Sequence, residues 1–452
     1  MITSQARDLN MNAANATQNF LMRTNTKDIT IKPSGDLKTR LILGGVVVFV
    51  LVCTWFAVRW QFSEMFSSIT RRDDPNALMI ADTAVSWGPS NPQASRLRAL
   101  LGEDSSSTDK RTAIEIAEQT VRLAPNDFRW RIELARILAQ YEQTQRAEDE
   151  FRRAAELAPA YAVVRWHYGN FLLRLERVDE AFAQLKLAAA GNGFYRDQVF
   201  SLAWDFFGKD ASRLEYLAGD NSQARTQLAY FFASRGRAED ALRNWNLLSE
   251  DEKLVNAGFL KVMAQGVFEQ KHFPQALEFE KQLGIDEDVT SDAITNSSFE
   301  KVLNGEGKSR FTWQVVRNIQ KLEIASDSNV KRTGNRSVRV SFRGFNRPEI
   351  SNLYQIVVVQ PSTKYTLRFW LRTENLKSAG TPMLDIISAN DAKPIARTQP
   401  FASGSSDWQQ ISLDFTTPEN CNAIVVRTIR AFCGEDCPLT GVFWYDDFEL
   451  QK

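Results

Sequence analysis

The sequence predicts a multidomain α plus β protein: a single transmembrane helix, then an α-solenoid of helical hairpins, then an antiparallel β-sandwich. Three observations predict it. An 18-residue run without a charge lies near the N-terminus, a 34-residue spacing of small residues recurs through the middle, and polar and apolar residues alternate through the last third. The length of 452 residues accommodates about three domains. Lys+Arg (55) balance Asp+Glu (55), which argues against a nucleic-acid binder working through bulk positive charge. With only two histidines, His167 and His272, most His-based metal sites and His-dependent triads are excluded as well.

The uncharged run covers residues 41–58, between Arg40 and Arg59, with Trp55 and Trp60 at one end. About 18 to 20 apolar residues span the hydrocarbon core as a helix, and indole rings favour its interface. The run exceeds a signal-peptide core and no small-x-small cleavage site follows, so an uncleaved anchor is expected. Arg23, Lys27, Lys32, Lys38 and Arg40 precede it, whereas Arg59, Arg71 and Arg72 follow. Five against three places the N-terminus in the cytoplasm. Residues 1–40, rich in Asn, Thr and Ser, then form a disordered cytoplasmic tail, and the bulk lies on the other side. Cys433 and Cys437 in CGEDC can close a small disulfide loop there; pairing of Cys421 with either is the alternative.

Residues 75–285 are helical by periodicity. The clearest unit, 130–159, carries Leu134-Ala135, Ala147, Phe151, Ala154 and Pro159; a shift of 34 gives Tyr168-Gly169, Ala181, Leu185, Ala188 and Gly193. Shifting back gives Ala113, Ala117, Thr120 and Pro125, and weaker copies follow at Leu228-Ala229, Ala241, Trp245, Leu248 and at Met263-Ala264, Ala276, Leu283. Small residues permit close approach of two antiparallel helices, and Pro ends the second. The spacing departs between Phe194 and Asp220, where a helical pair lacks the second-helix signature. These residues resemble the tetratricopeptide repeat family. The resemblance implies a concave face lined by the first helix of each pair, which by register brings Arg129, Ile132, Arg136, Trp166, Asn170 and Arg174 forward as a peptide groove. Arg136, Asn170 and Arg174 would clamp a peptide carboxylate.

Residues 290–452 read as strands. In SVRVSFR, Val338, Val340 and Phe342 share one face; in YTLRFWLR, Tyr365, Leu367, Phe369 and Leu371 face the core while Thr366, Arg368, Trp370 and Arg372 face outward. Further strands are expected at 354–359, 383–388, 410–416, 423–429 and 442–450. The order of NSSFE, Trp313, SVRVSF, YQIVVVQPSTKYTLRFWLRT, SSDWQQISLDFTTP and GVFWYDDFEL resembles carbohydrate-binding modules of the galactose-binding-like jelly-roll fold. That resemblance implies a structural calcium held by Glu300 and Asp447, with Asp446 as the alternative. It also implies a glycan site, for which Trp370 between Arg368 and Arg372 is the first candidate, with Tyr354 and Trp408 beside it. Nine basic and three acidic residues between 310 and 350 favour an acidic glycan.

Catalytic arrangements are not found. Gly307-Lys308-Ser309 lacks the earlier glycine of a phosphate loop, and HExxH, GxSxG and paired CxxC motifs are missing. Adjacent Asp446 and Asp447 on a strand point to opposite faces and cannot flank one glycosidic bond. The expectation is a non-enzymatic, single-pass protein of a bacterial inner membrane, its bulk periplasmic. It would bind a partner protein through the repeats and a glycan through the sandwich in exopolysaccharide or O-antigen assembly or export. A protein-only adaptor whose sandwich mediates docking or dimerisation, and a glycan-processing enzyme, are the alternatives.

Overall fold

The structure is a computed structural model that describes residues 37–71, 73–102, 110–285, 288–303, 309–316, 319–346, 350, 353–434 and 437–452. The chain divides into two compact units, Met1–Leu157 and Ala158–Lys452, taken in turn. Most of the expected tail, and Arg23, Lys27, Lys32, Arg72, Gly307 and Lys308 with it, lies outside the described residues.

The first unit holds α1 (Leu37–Ile69), α2 (Ala77–Trp87), α3 (Pro92–Gly102), α4 (Lys110–Leu123), α5 (Phe128–Gln140) and α6 (Thr144–Leu157). Among the described residues one helix, Arg40–Ile69, is long and apolar enough to cross a membrane, and its side chains over 41–58 are almost all exposed. The helix is longer than the sequence predicts at both ends: Leu37 to Arg40 are helical, and eleven residues continue it beyond Val58. That continuation is held by protein. Arg59 donates from Nε to the Trp87 carbonyl (3.0 Å) and from Nη2 to that of Ser86 (2.6 Å), placing a cation on the C-terminal carbonyls of α2. Phe62 meets Trp87 with ring centroids 5.2 Å apart, and Asn91 Nδ2 donates to Glu64 (2.9 Å). In the hairpin α5–α6, Ala135, Ala147, Phe151 and Ala154 are fully buried, as the close-approach argument requires.

The second unit opens with α7 (Ala162–Arg174), α8 (Val178–Gly191), α9 (Gly193–Phe206), α10 (Ala211–Ala218), α11 (Ser222–Ser234), α12 (Ala238–Asn246), α13 (Glu250–Val255), α14 (Ala257–Glu269) and α15 (Phe273–Gln282). Gly169 on α7 shows why a small residue is needed: a Cβ there would stand 2.7 Å from Leu185 Cγ and 3.1 Å from the Ala181 carbonyl on α8. Starts are capped by short polar side chains, Asn192, Asp210 and Asn221 each accepting a backbone N–H, and by a Ser249–Glu252 capping box. The turns within hairpins repeat one device. A left-handed residue (Glu142, Glu176, Gly208, Gly236 or Lys271) ends the first helix, and the next N–H bonds back five residues: Gln143 to Leu138, Arg177 to Leu172, Lys209 to Trp204, Arg237 to Phe232, His272 to Val267.

The strands follow as β1 (Gln314–Val315), β2 (Leu322–Asp327), β3 (Ser337–Phe345), β4 (Leu353–Val358), β5 (Lys364–Lys377), β6 (Pro382–Ser388), β7 (Pro394–Arg397), β8 (Gly404–Thr416), β9 (Ala423–Arg430) and β10 (Leu439–Gln451). Two antiparallel sheets, ordered β1-β4-β9-β6-β7 and β2-β3-β10-β5-β8, form a sandwich. Its core holds the inward Val338, Val340 and Phe342 of β3 and Tyr365, Leu367, Phe369 and Leu371 of β5. Every strand expected from alternation is present; β1, β2 and β7, short or at a sheet edge, are additional.

Helices and sandwich share a core within this unit. The apolar cluster running through α8 to α15 continues into Val289, Phe311, Val358 and Ala423. Beside it the buried Glu280 of α15 accepts from Ser309 Oγ (2.5 Å), from Arg310 N (3.1 Å) and from Arg310 Nη1 (2.6 Å). Ser309, whose tripeptide faintly matches a phosphate loop, is spent on this contact.

Candidate glycan-binding faces

β5 carries the leading candidates. Its alternation buries Tyr365, Leu367, Phe369 and Leu371 and turns Arg368, Trp370 and Arg372 to the outer face of the second sheet. Trp370 is half-buried, and its register partners are polar, Asp446 on β10 and Gln410 on β8. One ring face is covered by the Arg332 guanidinium, 3.5 Å from the centroid, a cation–π contact. Arg332 in turn donates to Asp447 Oδ2 (3.0 Å). Arg368 donates to Gln451 Oε1 (2.6 Å) and Arg372 lies 3.5 Å from Asp407. Trp408 on β8 is half-buried and lies where the β5–β8 register shifts, between Gln409 opposite Leu371 and Ser406 opposite Thr373. Trp444 lies between Arg339 and Arg372 but is itself buried, its Nε1–H given to Asp327 Oδ2 (2.9 Å). Burial alone would raise the Asp327 carboxyl; that indole bond and the N–H groups of Asn329 and Val330 outweigh it and hold the group below the usual range.

Tyr354 does not belong with Trp370. It sits on β4 in the other sheet, between inward Leu353 and Gln355, so its ring faces the opposite side of the sandwich. There it heads a cross-strand row: Tyr354 pairs with Arg427, Arg427 with Asp385, and Asp385 with Arg397. The Asp385 side chain has no exposure and accepts from Arg397 Nε (2.6 Å) and from Arg427 Nε (2.9 Å), with Arg427 Nη2 2.8 Å away in the ion pair. Sequence reading missed this row because its members come from four strands, and only the register joins them.

Glu300 and the two closing aspartates grip one loop. Glu300 Oε1 accepts the N–H groups of Asn335 (2.7 Å) and Arg336 (3.2 Å), and the Asn335 bond is the main cause holding its carboxyl below the ordinary value. Asp447 accepts from Ser298 Oγ (2.9 Å), Thr333 Oγ1 (2.5 Å) and Arg332 Nη1. Asp446, fully buried, accepts from Arg332 N (2.9 Å) and Asp447 N (2.9 Å); burial pushes its carboxyl up, with the Asp447 charge adding to the shift. Calcium takes six to eight oxygen ligands. A calcium ion here would meet N–H and O–H donors and a guanidinium, and among the described residues no three His, Cys, Asp or Glu side chains gather to hold a metal.

Cys433 and Cys437 form the disulfide, their Cα atoms 5.9 Å apart, while Cys421 is a buried free thiol. Arg430 lies under the disulfide, its Nη2 donating to the Cys437 carbonyl (2.7 Å) and Ser378 Oγ (2.9 Å).

The predicted peptide groove divides between the units. In the first, Arg129 pairs with Asp127 at the N-cap of α5 (2.6 Å), Arg136 is exposed, and Ile132, expected on the groove face, is buried among the helices. In the second, Trp166 meets Tyr195 in a tilted ring contact (5.8 Å between centroids), Asn170 Nδ2 donates within its own helix to the Trp166 carbonyl (2.8 Å), and Arg174 is exposed. Exposed apolar side chains of the second unit's helices also occur elsewhere: Leu254 and Val255 on α13 are 76% and 85% exposed, and Phe259 and Val262 on α14 are exposed, with Tyr230 of α11 against Phe259 (5.7 Å).

No protein-family profile and no curated protein matches the chain. Among solved structures the C-terminal sandwich resembles carbohydrate-binding modules. A CBM4 structure is 12% identical over 35% of this chain and 98% of that one, with a TM-score of 0.27. TmCBM61, in complex with β-1,4-galactotriose, is 16% identical over 35% and 97%, TM-score 0.24. A cyclase from Fischerella sp. TAU, in complex with 4-(1H-indol-3-yl)butan-2-one, is 15% identical over 35% and 94%, TM-score 0.25.

Proposed function

We propose that the chain is a membrane-anchored periplasmic scaffold whose sandwich binds a glycan and whose helical hairpins, of the tetratricopeptide type, hold a partner protein, serving polysaccharide assembly or export without catalysis. The observation that carries the glycan reading is Trp370: an indole on the polar face of β5, flanked by Arg368 and Arg372 and opposed by Asp446 and Gln410. Sugar rings stack on aromatic faces, and flanking guanidiniums supply planar donors for hydroxyls and carboxylates. Arg332 covers one indole face. The Cys433–Cys437 disulfide supports an oxidising compartment, and the apolar run of α1 supports the anchor in a bacterial inner membrane. The experiment is calorimetry of the full chain in nanodiscs against neutral and acidic bacterial polysaccharides, with Trp370→Ala and Arg372→Gln. Loss of binding in both variants supports the reading; absence of binding to every polymer rejects it.

Partner binding through the helices is supported by one observation, the exposed Leu254, Val255, Phe259 and Val262 side chains. Exposed apolar patches mark interaction sites. A photo-crosslinker at Val255 that captures no protein in cells would remove this support.

A further inference from the structure

The row Tyr354–Arg427–Asp385–Arg397 lies on the outer face of the first sheet, away from Trp370, and it has the construction of an acid-sugar site. Asp385 is a fully buried carboxylate that fixes two guanidiniums side by side. Two cations against one anion leave the row with a net positive charge. Arg397 gives Asp385 only its Nε, and half of its side chain remains exposed, so its paired Nη edge stands toward solvent. That edge is the part of arginine that takes a carboxylate in two parallel hydrogen bonds. Arg427 gives its Nε to Asp385, with its Nη2 2.8 Å from the same oxygen, and its side chain is 27% exposed. Beyond it stands the half-buried ring of Tyr354. Adjacent strands are about 4.8 Å apart, so Tyr354 and Arg397, three strand steps apart, span about 14 Å along one line. Ordinary packing does not explain the row, because a buried carboxylate with two arginines gives little net stability over an apolar substitute.

We infer that this face binds a carboxylated sugar, a uronate within a glycan chain, with its carboxylate on Arg397 and Arg427 and a neighbouring ring against Tyr354. The inference rests on the glycan-binding reading of the sandwich but assigns a second, separate face and a chemical class. Asp385 is a positioning residue, since it holds the guanidiniums and does not itself meet ligand.

The test measures binding of the full chain, in nanodiscs of neutral lipid, to a panel of uronate oligosaccharides and their methyl esters. The esters keep every hydroxyl and lose only the charge. The expected result is at least tenfold tighter binding of some acid over its ester, a preference that shrinks with salt and that Arg397→Gln abolishes. Arg343→Gln, an exposed arginine of the other sheet, should leave it intact. Equal binding of acid and ester, or a preference that survives Arg397→Gln in a folded variant, overturns this inference while leaving the glycan reading in place. No binding of any panel member or of any neutral polymer overturns both.

Discussion

Glu280 joins helix α15 to the loop that leads into the sandwich, and removing its carboxylate should loosen that junction measurably. The side chain is 3% exposed and Arg310 is 32% exposed. Breaking a fully buried ion pair costs about 3–5 kcal/mol. Water can reach the Arg310 left behind, which discounts the figure, while Ser309, 2% exposed, loses the acceptor for its hydroxyl. About 2–3 kcal/mol is the expected loss for Glu280→Ala. The assay is native-state hydrogen exchange of the full chain, read on peptides covering 309–316. A loss of that size speeds opening-limited exchange about 30- to 150-fold there. Exchange in β3 and β10, on the far sheet, should stay close to wild type. An unchanged 309–316 peptide would refute the view that helices and sandwich are clamped through this carboxylate.

Four further outcomes follow from single sites. Gly169→Val should destabilise the helical part by about 1–3 kcal/mol in urea titrations, because its Cβ would stand 2.7 Å from Leu185 Cγ. Glu176→Gly should instead stabilise by a few tenths to about 1 kcal/mol, since the residue at φ 60° closes its hairpin in a conformation that glycine adopts freely. The Cys421 thiol, whose pKa burial raises, should resist alkylation at pH 7 until denaturant opens the sandwich. The Glu300 carboxyl is held low by the loop N–H groups, so its stabilisation is complete above about pH 4.3 and is lost as pH falls through the lower folded value. Between pH 5 and 3, wild type should therefore lose melting temperature more steeply than Glu300→Gln.

The fold was legible where side chains repeat with a period the backbone imposes. Alternation placed every strand it proposed, and the small residues at Ala135, Ala147, Ala154, Ala181 and Ala188 are buried at helix contacts. The hairpin turns were not legible, because three of five use Glu or Lys at the left-handed position where sequence reading looks for Gly. The helix runs beyond the apolar stretch, which no hydropathy pattern signals: Arg59 ends the uncharged run and binds the carbonyls of α2. Of the glycan candidates, the outward side of β5 followed from alternation alone. The separation of Tyr354 from Trp370 did not, since strand order is a long-range property. Arg332, which covers Trp370, comes from a loop 38 residues away that no local pattern connects to it.

The central claim is that glycan meets the sandwich and not the helices. Hydrogen exchange of the full chain in nanodiscs, with and without saturating polysaccharide, tests it most directly. Slowed exchange in β5 and β8, over 366–372 and 408–412, is the predicted result. Slowing confined to the helical hairpins, or none anywhere with a polymer shown to bind, would contradict it.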